Sequence, residues 1–474
     1  MKHTITFLCL VLIFFEAKAC TIIIGYKNGK VLVGNNEDWY HSDAKYWLER
    51  PEDPEEHYAA YFFGFEGEGW FAQGGMNEAG LMFDGTAVSR IEIDRDRVRE
   101  QKLKAAPVQL FKNILKRCRT IEEAEAMIEP LFIPYIRSAQ VVIVDANAGY
   151  LVVKANGIAQ KGHLSEGEFR VITNFHLEDL ESRNYTCYRY DLAHNSLQRH
   201  FENTLPEFEG LLQSVHQEYP GATVYSNIFN LTAPSAHIYY NAVFDEKITL
   251  DFKGSVPENP VLLEGGVFKK RMIESLIKAY KKGGAPKAAE FFEAEQTRKD
   301  SSEFQVDAQQ LIDLGEYLYR QDEIEDYEYI LDFANKTFPQ DERSLLALGK
   351  SFLRKGEIDK ALGAFEGVLE IDPQNYWAGR LLAQYSDQRE CPLAFTLEGY
   401  ENATSVLLFG NFNEWRGFDH VCRRVNGAWT TCVSTSEKVL QYRFKVDGQW
   451  VEDPGNPSST KLRNGLKVSV RIRD

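Results

Sequence analysis

The sequence predicts an α+β chain of several domains: a mixed front part, a helical repeat section and a β-rich tail. Three observations carry this. Strand-like runs at 21–26, 139–173 and 223–252 enclose helix-like runs between residues 108 and 131. Gly315 and Gly349 stand 34 residues apart, as do Pro339 and Pro373. Residues 391–474 are β-rich. A chain of 474 residues is also too long for one ordinary core.

Residues 1–19 read as a secretory leader: a basic start at Lys2 and His3, an apolar run from Ile5 to Phe15, and an Ala17-Lys18-Ala19 cut site. This predicts a secreted or periplasmic protein. Cleavage after Ala19 makes Cys20 the new N-terminus, so that one residue carries both a thiol and an α-amine. The amine titrates near pH ~7.7, stays partly neutral at working pH and can take the thiol proton. Two other readings of Cys20 stand beside this one, a disulfide partner and a lipidated cysteine. A lipobox has Leu three residues before its Cys, where this chain has Ala17.

Thr21 to Tyr26 is strand-like, and Asn28-Gly29 suits the positive φ of a two-residue type I′ hairpin. Pairing Lys27 with Lys30 puts Glu37 opposite Cys20. Asn35-Asn36-Glu37-Asp38 therefore arrives beside the new N-terminus, where a carboxylate would orient the amine. Opposed residues share a face, which favours Glu37. We expect the pairing to end at Gly34-Asn35, however, which releases Asp38 from the far face.

Cys20-Thr21-Ile22-Ile23-Ile24-Gly25 followed by Gly34-Asn35-Asn36-Glu37-Asp38-Trp39 resembles the choloylglycine hydrolase and penicillin V acylase group of N-terminal-nucleophile (Ntn) hydrolases. Acyl-coenzyme A:6-aminopenicillanic acid acyltransferase-like proteins and N-acylethanolamine amidases are its relatives. Gly75-Met76-Asn77-Glu78-Ala79-Gly80-Leu81, Val171-Ile172-Thr173-Asn174 and Ser182 to Tyr190 resemble later motifs of that group, in the same order over about residues 20–255. The resemblance implies a four-layer αββα sandwich that cleaves a linear carbon–nitrogen amide bond through a thioester acyl-enzyme. It implies Cys20 as nucleophile, Asp38 as the orienting carboxylate and Asn174 as an oxyanion donor. Arg189 is implied as a site arginine, with Arg183 a competitor. Asn35 and Asn77 stand at substrate-binding positions; Asn35 replaces the Arg of the bile-salt enzymes, which weakens any inference of that specificity. Met82-Phe83-Asp84-Gly85 gives no match to the next oxyanion donor. No cofactor is required, and the partner expected is a small-molecule N-acyl amide. An acyltransferase using the same acyl-enzyme, or a non-catalytic binding protein, are the alternatives.

The charge balance is 54 Lys and Arg against 70 Asp and Glu, or −16; losing Lys2, Lys18 and Glu16 with the leader makes it −17. So acidic a chain argues against nucleic acid and anionic membranes. Beyond Cys9 and Cys20 there are Cys118, Cys187, Cys391, Cys422 and Cys432, an odd number with no C-x-x-C spacing, so no structural zinc site is expected.

Helices are expected within 108–131, the second capped by Thr120-Ile121-Glu122-Glu123. Strands are expected at 139–145, 150–154, 170–173, 223–229, 237–243 and 248–252, and a helix at 267–281. Lys281 to Pro286 breaks that helix, so the hydrolase domain is placed at 20–285 and a linker at 286–305. Residues 306–390 resemble tetratricopeptide repeats: Leu314-Gly315 recurs as Leu348-Gly349, and Ala361 and Phe365 fill small and large packing positions. Such an array serves either as a peptide- or protein-binding groove or as a spacer or a clamp packed on the hydrolase. Residues 391–474 resemble the immunoglobulin-like early-set module of glycogen-binding domains, with Trp415, Trp450 and Arg443 at the sugar-contacting positions. That implies a glucan or cell-envelope carbohydrate partner. Cys422 and Cys432 flank the Asn426-Gly427 hairpin as a candidate bridge.

Overall fold

The computed structural model describes residues 20–39, 43–67, 69–182, 187–217, 222–252, 259–373, 375–386, 393–413, 415, 420–425, 427–433, 435, 437–462 and 467–473. The expected leader at residues 1–19, Arg183 and Cys391 lie outside them. The chain divides into two compact units, Lys18–Arg389 and Glu390–Asp474.

The larger unit begins with a hairpin of β1 (Thr21–Lys27) and β2 (Lys30–Asp38), turned by Asn28 and Gly29 at φ 56° and 66°. There follow β3 (Lys45–Glu49), β4 (Ala60–Gly67), β5 (Gly69–Asn77), β6 (Met82–Ala87), α1 (Arg95–Glu100), β7 (Lys104–Ala105), α2 (Leu110–Arg117), α3 (Ile121–Ile128) and β8 (Leu131–Phe132). Next come β9 (Ala139–Val144), β10 (Gly149–Lys154), β11 (Gly157–His163), β12 (Glu168–Ile172), α4 (Glu178–Ser182), α5 (Tyr188–Arg199) and α6 (Leu205–Ser214). The last strands are β13 (Thr223–Asn230), β14 (Ser235–Tyr240), β15 (Val243–Asp251) and β16 (Val261–Leu262).

These strands build two antiparallel sheets, a six-stranded one ordered β12-β1-β2-β13-β14-β15 and an eight-stranded one ordered β11-β10-β9-β6-β5-β4-β3-β16. Alternation along each strand sorts side chains into layers. In β2, Val31 and Val33 join the apolar layer between the sheets, with Tyr61, Phe63, Met82 and Phe229, while Leu32 faces α5 and α6. On the far side, Leu110, Ile114 and Leu115 of α2 and Ile121 and Ala124 of α3 cover Phe62, Phe83 and Ile143. The order is helices, sheet, sheet, helices, and each large apolar side chain so buried contributes roughly 1.5–3 kcal/mol. Thr120 caps α3 by accepting the Glu123 N–H.

A long helix, α7 (Ile273–Thr297), follows, kinked at Gly283 and Gly284. The expected break is therefore a bend only. Pro286 falls in the first turn beyond the kink, where its missing N–H costs nothing, and the helix resumes. Residues 286–305 consequently do not form a linker: Ala288 and Phe292 are buried against α8 (Ala308–Arg320) and α9 (Ile324–Thr337). Helices α10 (Glu342–Arg354), α11 (Ile358–Ile371) and α12 (Tyr376–Ser386) complete the section. At Gly349 an added Cβ would come 2.4 Å from the Phe365 ring, so only glycine lets α10 and α11 pack this closely.

The smaller unit contains β17 (Ala394–Leu397), β18 (Val406–Gly410), β19 (Arg423–Val425), β20 (Ala428–Cys432), β21 (Val439–Val446), β22 (Gln449–Val451), β23 (Ser459–Lys461) and β24 (Lys467–Ile472). A three-stranded sheet, β17-β20-β19, and a larger one, β18-β21-β24-β23 with β22 on β21, enclose Phe395, Leu408, Trp429, Tyr442 and Phe444. Cys422 is a free buried thiol, whereas Cys432 is disulfide-bonded, so these two do not bridge each other.

Candidate active site

Cys20 lies at the start of β1, 4% exposed, on the face that looks into the layer between the sheets. The β1–β2 pairing does not stop at Gly34: it continues through Ile22↔Asn35 and Thr21↔Asn36, and β2 itself runs to Asp38. The reason lies on the other side of β2, where β13 pairs from Asn230↔Leu32 to Thr223↔Asp38 and holds the strand extended. Alternation therefore persists to the end. Asn35 and Glu37 face the thiol, while Asn36 and Asp38 face the helices.

On the thiol side, Cys20 Sγ is 3.6 Å from Glu37 Oε2. Asn35 Nδ2 donates to Glu37 Oε1 at 2.8 Å and to Asp84 Oδ2 at 2.6 Å, linking carboxyls from the two sheets. Asp84 Oδ1 also accepts the Gly85 N–H at 2.7 Å. Burial, followed by the charges of Glu37 and Asp38, pushes the Cys20 thiol well above its ordinary value. The thiol is thus held protonated, not partly ionised, and attack requires a base to remove its proton. Burial likewise raises Glu37 well above the usual carboxylate range and Asp84 to about 7.

On the helix side, Asp38 accepts the Thr223 hydroxyl, and its Oδ2 lies 3.7 Å from Arg189 Nη1. Burial lifts Asp38 to about 8, opposed by Arg189 and Thr223. Arg189, in the first turn of α5, donates to the Cys20 carbonyl at 2.8 Å, to Thr21 Oγ1 at 3.0 Å and to Asn174 Oδ1 at 2.8 Å. One guanidinium thereby joins the backbone of Cys20 to Asp38 and Asn174. Asn174 Nδ2 donates to Ala87 O at 2.9 Å. Thr86 and Gln140 hold the Thr173 carbonyl beside it.

Cys20, Asn35, Asp38, Asn174 and Arg189 are thus brought together. Asn77 is not. It faces the opposite layer, where its Nδ2 donates to Leu115 O and Cys118 O and its Oδ1 accepts the N–H groups of Ala79 and Leu81. Its role is to tie the β5–β6 turn to the end of α2. In the smaller unit Trp450 is 44% exposed, packs on Phe409 at 4.6 Å between centroids, and has Arg443 and Lys445 over its ring. Trp415 takes φ 61° after a 3-10 turn; no described contact joins it to Trp450. Sequence reasoning missed Asp84, Thr223 and Asn227. For two of them the available signal was parity: Asn227 stands between the inward Tyr225 and Phe229, and Asp84 follows the inward Met82. Among the described residues, no group of three or more His, Cys, Asp or Glu side chains is placed to hold a metal ion.

No family model and no curated protein matches the chain. Among solved structures it is similar to a variant of conjugated bile acid hydrolase from Clostridium perfringens, at 14% identity over 51% of this chain and 94% of that one, with a TM-score of 0.39. It is also similar to penicillin V acylase from Agrobacterium tumefaciens, at 14% identity over 52% and 92%, with a TM-score of 0.37. The N-acylethanolamine-hydrolyzing acid amidase ortholog of Caenorhabditis elegans aligns at 15% identity over 45% and 94%, with a TM-score of 0.34.

Proposed function

We propose that this chain is a secreted N-terminal-cysteine hydrolase that cleaves a linear amide of an N-acylated substrate. The observation that supports it best is the setting of Cys20. The residue that follows the expected cut site places its thiol 3.6 Å from Glu37, with its own carbonyl held by Arg189 at 2.8 Å. After cleavage, the neutral α-amine of Cys20 takes the thiol proton as sulfur attacks the amide carbonyl. The tetrahedral oxyanion accepts a hydrogen bond from Asn174, whose carboxamide is oriented by Arg189. Loss of one such donor costs roughly 10²–10³ in rate. The protonated amine then gives its proton to the leaving nitrogen, the C–N bond breaks and a thioester remains. Water, deprotonated by the same amine, attacks the thioester and restores the thiol. Asp38 acts through Arg189 to fix the backbone of Cys20.

The test is mass spectrometry of the mature protein with and without an N-acyl amide. The expected result is an N-terminus at Cys20 and an acyl adduct on that residue. A Cys20→Ser variant that folds normally should lose about three orders of magnitude or more in turnover. A blocked or uncut N-terminus, or near wild-type turnover by Cys20→Ser, sinks the reading.

A further inference from the structure

Glu37 and Asp84 meet from the two sheets in the layer between them, hydrogen-bonded to each other, with Cys20 beside Glu37 and Asn227 opposite Asn35. Both carboxyls are fully buried, at 0% exposure. Their described partners are each other, through one shared hydrogen bond, the two N–H groups of the Asn35 amide, the Gly85 N–H and a long contact from the thiol. Two carboxylates offer about eight acceptor sites, so several remain to be filled. Among the described residues no Lys, Arg or His pairs with either carboxyl, although buried carboxylates ordinarily have a cationic partner.

A second observation is independent of the acids. Asn227 is 0% exposed, and among the described residues neither its Oδ1 nor its Nδ2 has a hydrogen-bond partner. It stands directly opposite Asn35 in the β13–β2 pairing, so its carboxamide projects onto the same face, beside the Glu37–Asp84 bridge. Tyr61, from β4 of the other sheet, brings a buried hydroxyl that is also unpartnered. A buried carboxamide and phenol without a protein partner carry a cost, and a polar ligand beside them would satisfy both.

We propose that this space is a subsite for an ammonium group carried by the amide substrate, with Glu37 and Asp84 taking the cation and Asn227 the polar group next to it. The inference rests on the amide-hydrolase reading for the identity of the substrate. The amine of mature Cys20 lies opposite Glu37, whereas Asp84 belongs to the other sheet. Without ligand, burial keeps a proton on the pair near neutral pH, so a bound ammonium should expel it. Cys20, Tyr61 and Tyr225 also face this space, while Asp38 and Arg189 lie across β2, and none of these supplies a cation to it.

The experiment is calorimetric titration of the full mature chain carrying Cys20→Ala with three probes: N-octanoylethylenediamine, N-octanoylpropylamine and N-octanoylglycine. The cationic probe should bind about tenfold or more tighter than the neutral one. In buffers of different ionisation heat at pH 7 it should release about one proton. Asp84→Asn in the same background should abolish the preference; if that variant does not fold, the proton release alone decides. Equal binding of cationic and neutral probes, tightest binding of the anionic probe, or cation binding without proton release overturns the proposal. The hydrolase reading fails separately, if wild-type protein forms no acyl adduct on Cys20 with any of the three.

Discussion

Cys20 Sγ lies 3.6 Å from Glu37 Oε2, while the next residue, Asp38, points through the opposite face of β2 to Thr223 and Arg189. Two adjacent carboxyls thus touch different parts of the same cysteine: Glu37 its thiol, and Asp38, through Arg189, its backbone.

This division predicts different kinetic signatures. Asp38→Asn keeps the shape but removes the ionisable carboxyl that faces Arg189 and accepts from Thr223, so kcat should fall by about 10² with little change in KM. Glu37→Gln should leave kcat within about tenfold and mainly change substrate affinity. Steady-state kinetics of the two variants decide the assignment; a steep loss of kcat in Glu37→Gln with little in Asp38→Asn reverses it.

The buried carboxyls also set how stability depends on pH. Burial raises Asp38 to about 8 and Asp84 to about 7, both from 3.8. Each therefore binds its proton more tightly when folded. Their contribution is complete below pH 3.8 and is lost as pH rises through about 7 to 8. Asp84→Asn removes one such group. Its Tm should exceed that of wild type at pH 8 and converge on it near pH 4. Tm measured from pH 4 to 8 checks this, and parallel curves would contradict it.

The helical section reaches the site through aromatic contacts of α12. Trp377 of α12 packs on Tyr188 at 5.0 Å between centroids, and Tyr188 precedes Arg189. Trp377→Ala should loosen the first turn of α5 and lower kcat/KM about three- to tenfold, while the protein remains folded. Hydrogen exchange over residues 187–191 should rise. Unchanged exchange there would separate the helices from the site.

In the smaller unit, Trp450 offers an exposed ring flanked by Arg443 and Lys445. If this unit holds an α-glucan, Trp450→Ala in the full chain should abolish retention on a glucan column, and Trp415→Ala should have a weaker effect because no described contact joins it to that platform. Equal retention of wild type and Trp450→Ala makes the unit structural.

Local chemistry was enough to read much of this chain. Asn28-Gly29 requires a hairpin turn, and the turn sets the register that places Glu37 opposite Cys20. Thr120 marks a helix start because its hydroxyl satisfies an orphan N–H. A 34-residue recurrence of glycine marks the close helix contact seen at Gly349. These features depend on neighbours in sequence. What tertiary structure alone decided depends on neighbours in space. Pairing with β13 keeps β2 extended past Gly34, so Asp38 stays on the helix face despite the break expected there. The four hydrogen bonds that engage Asn77 come from its own turn and from the end of α2, about forty residues away, so a turn motif alone could not assign it. Asp84 and Asn227 meet Asn35 only because two sheets stack and β13 lies against β2. Short-range patterns specify which face of a strand a residue occupies; only the packing of one sheet on the other specifies what that face meets.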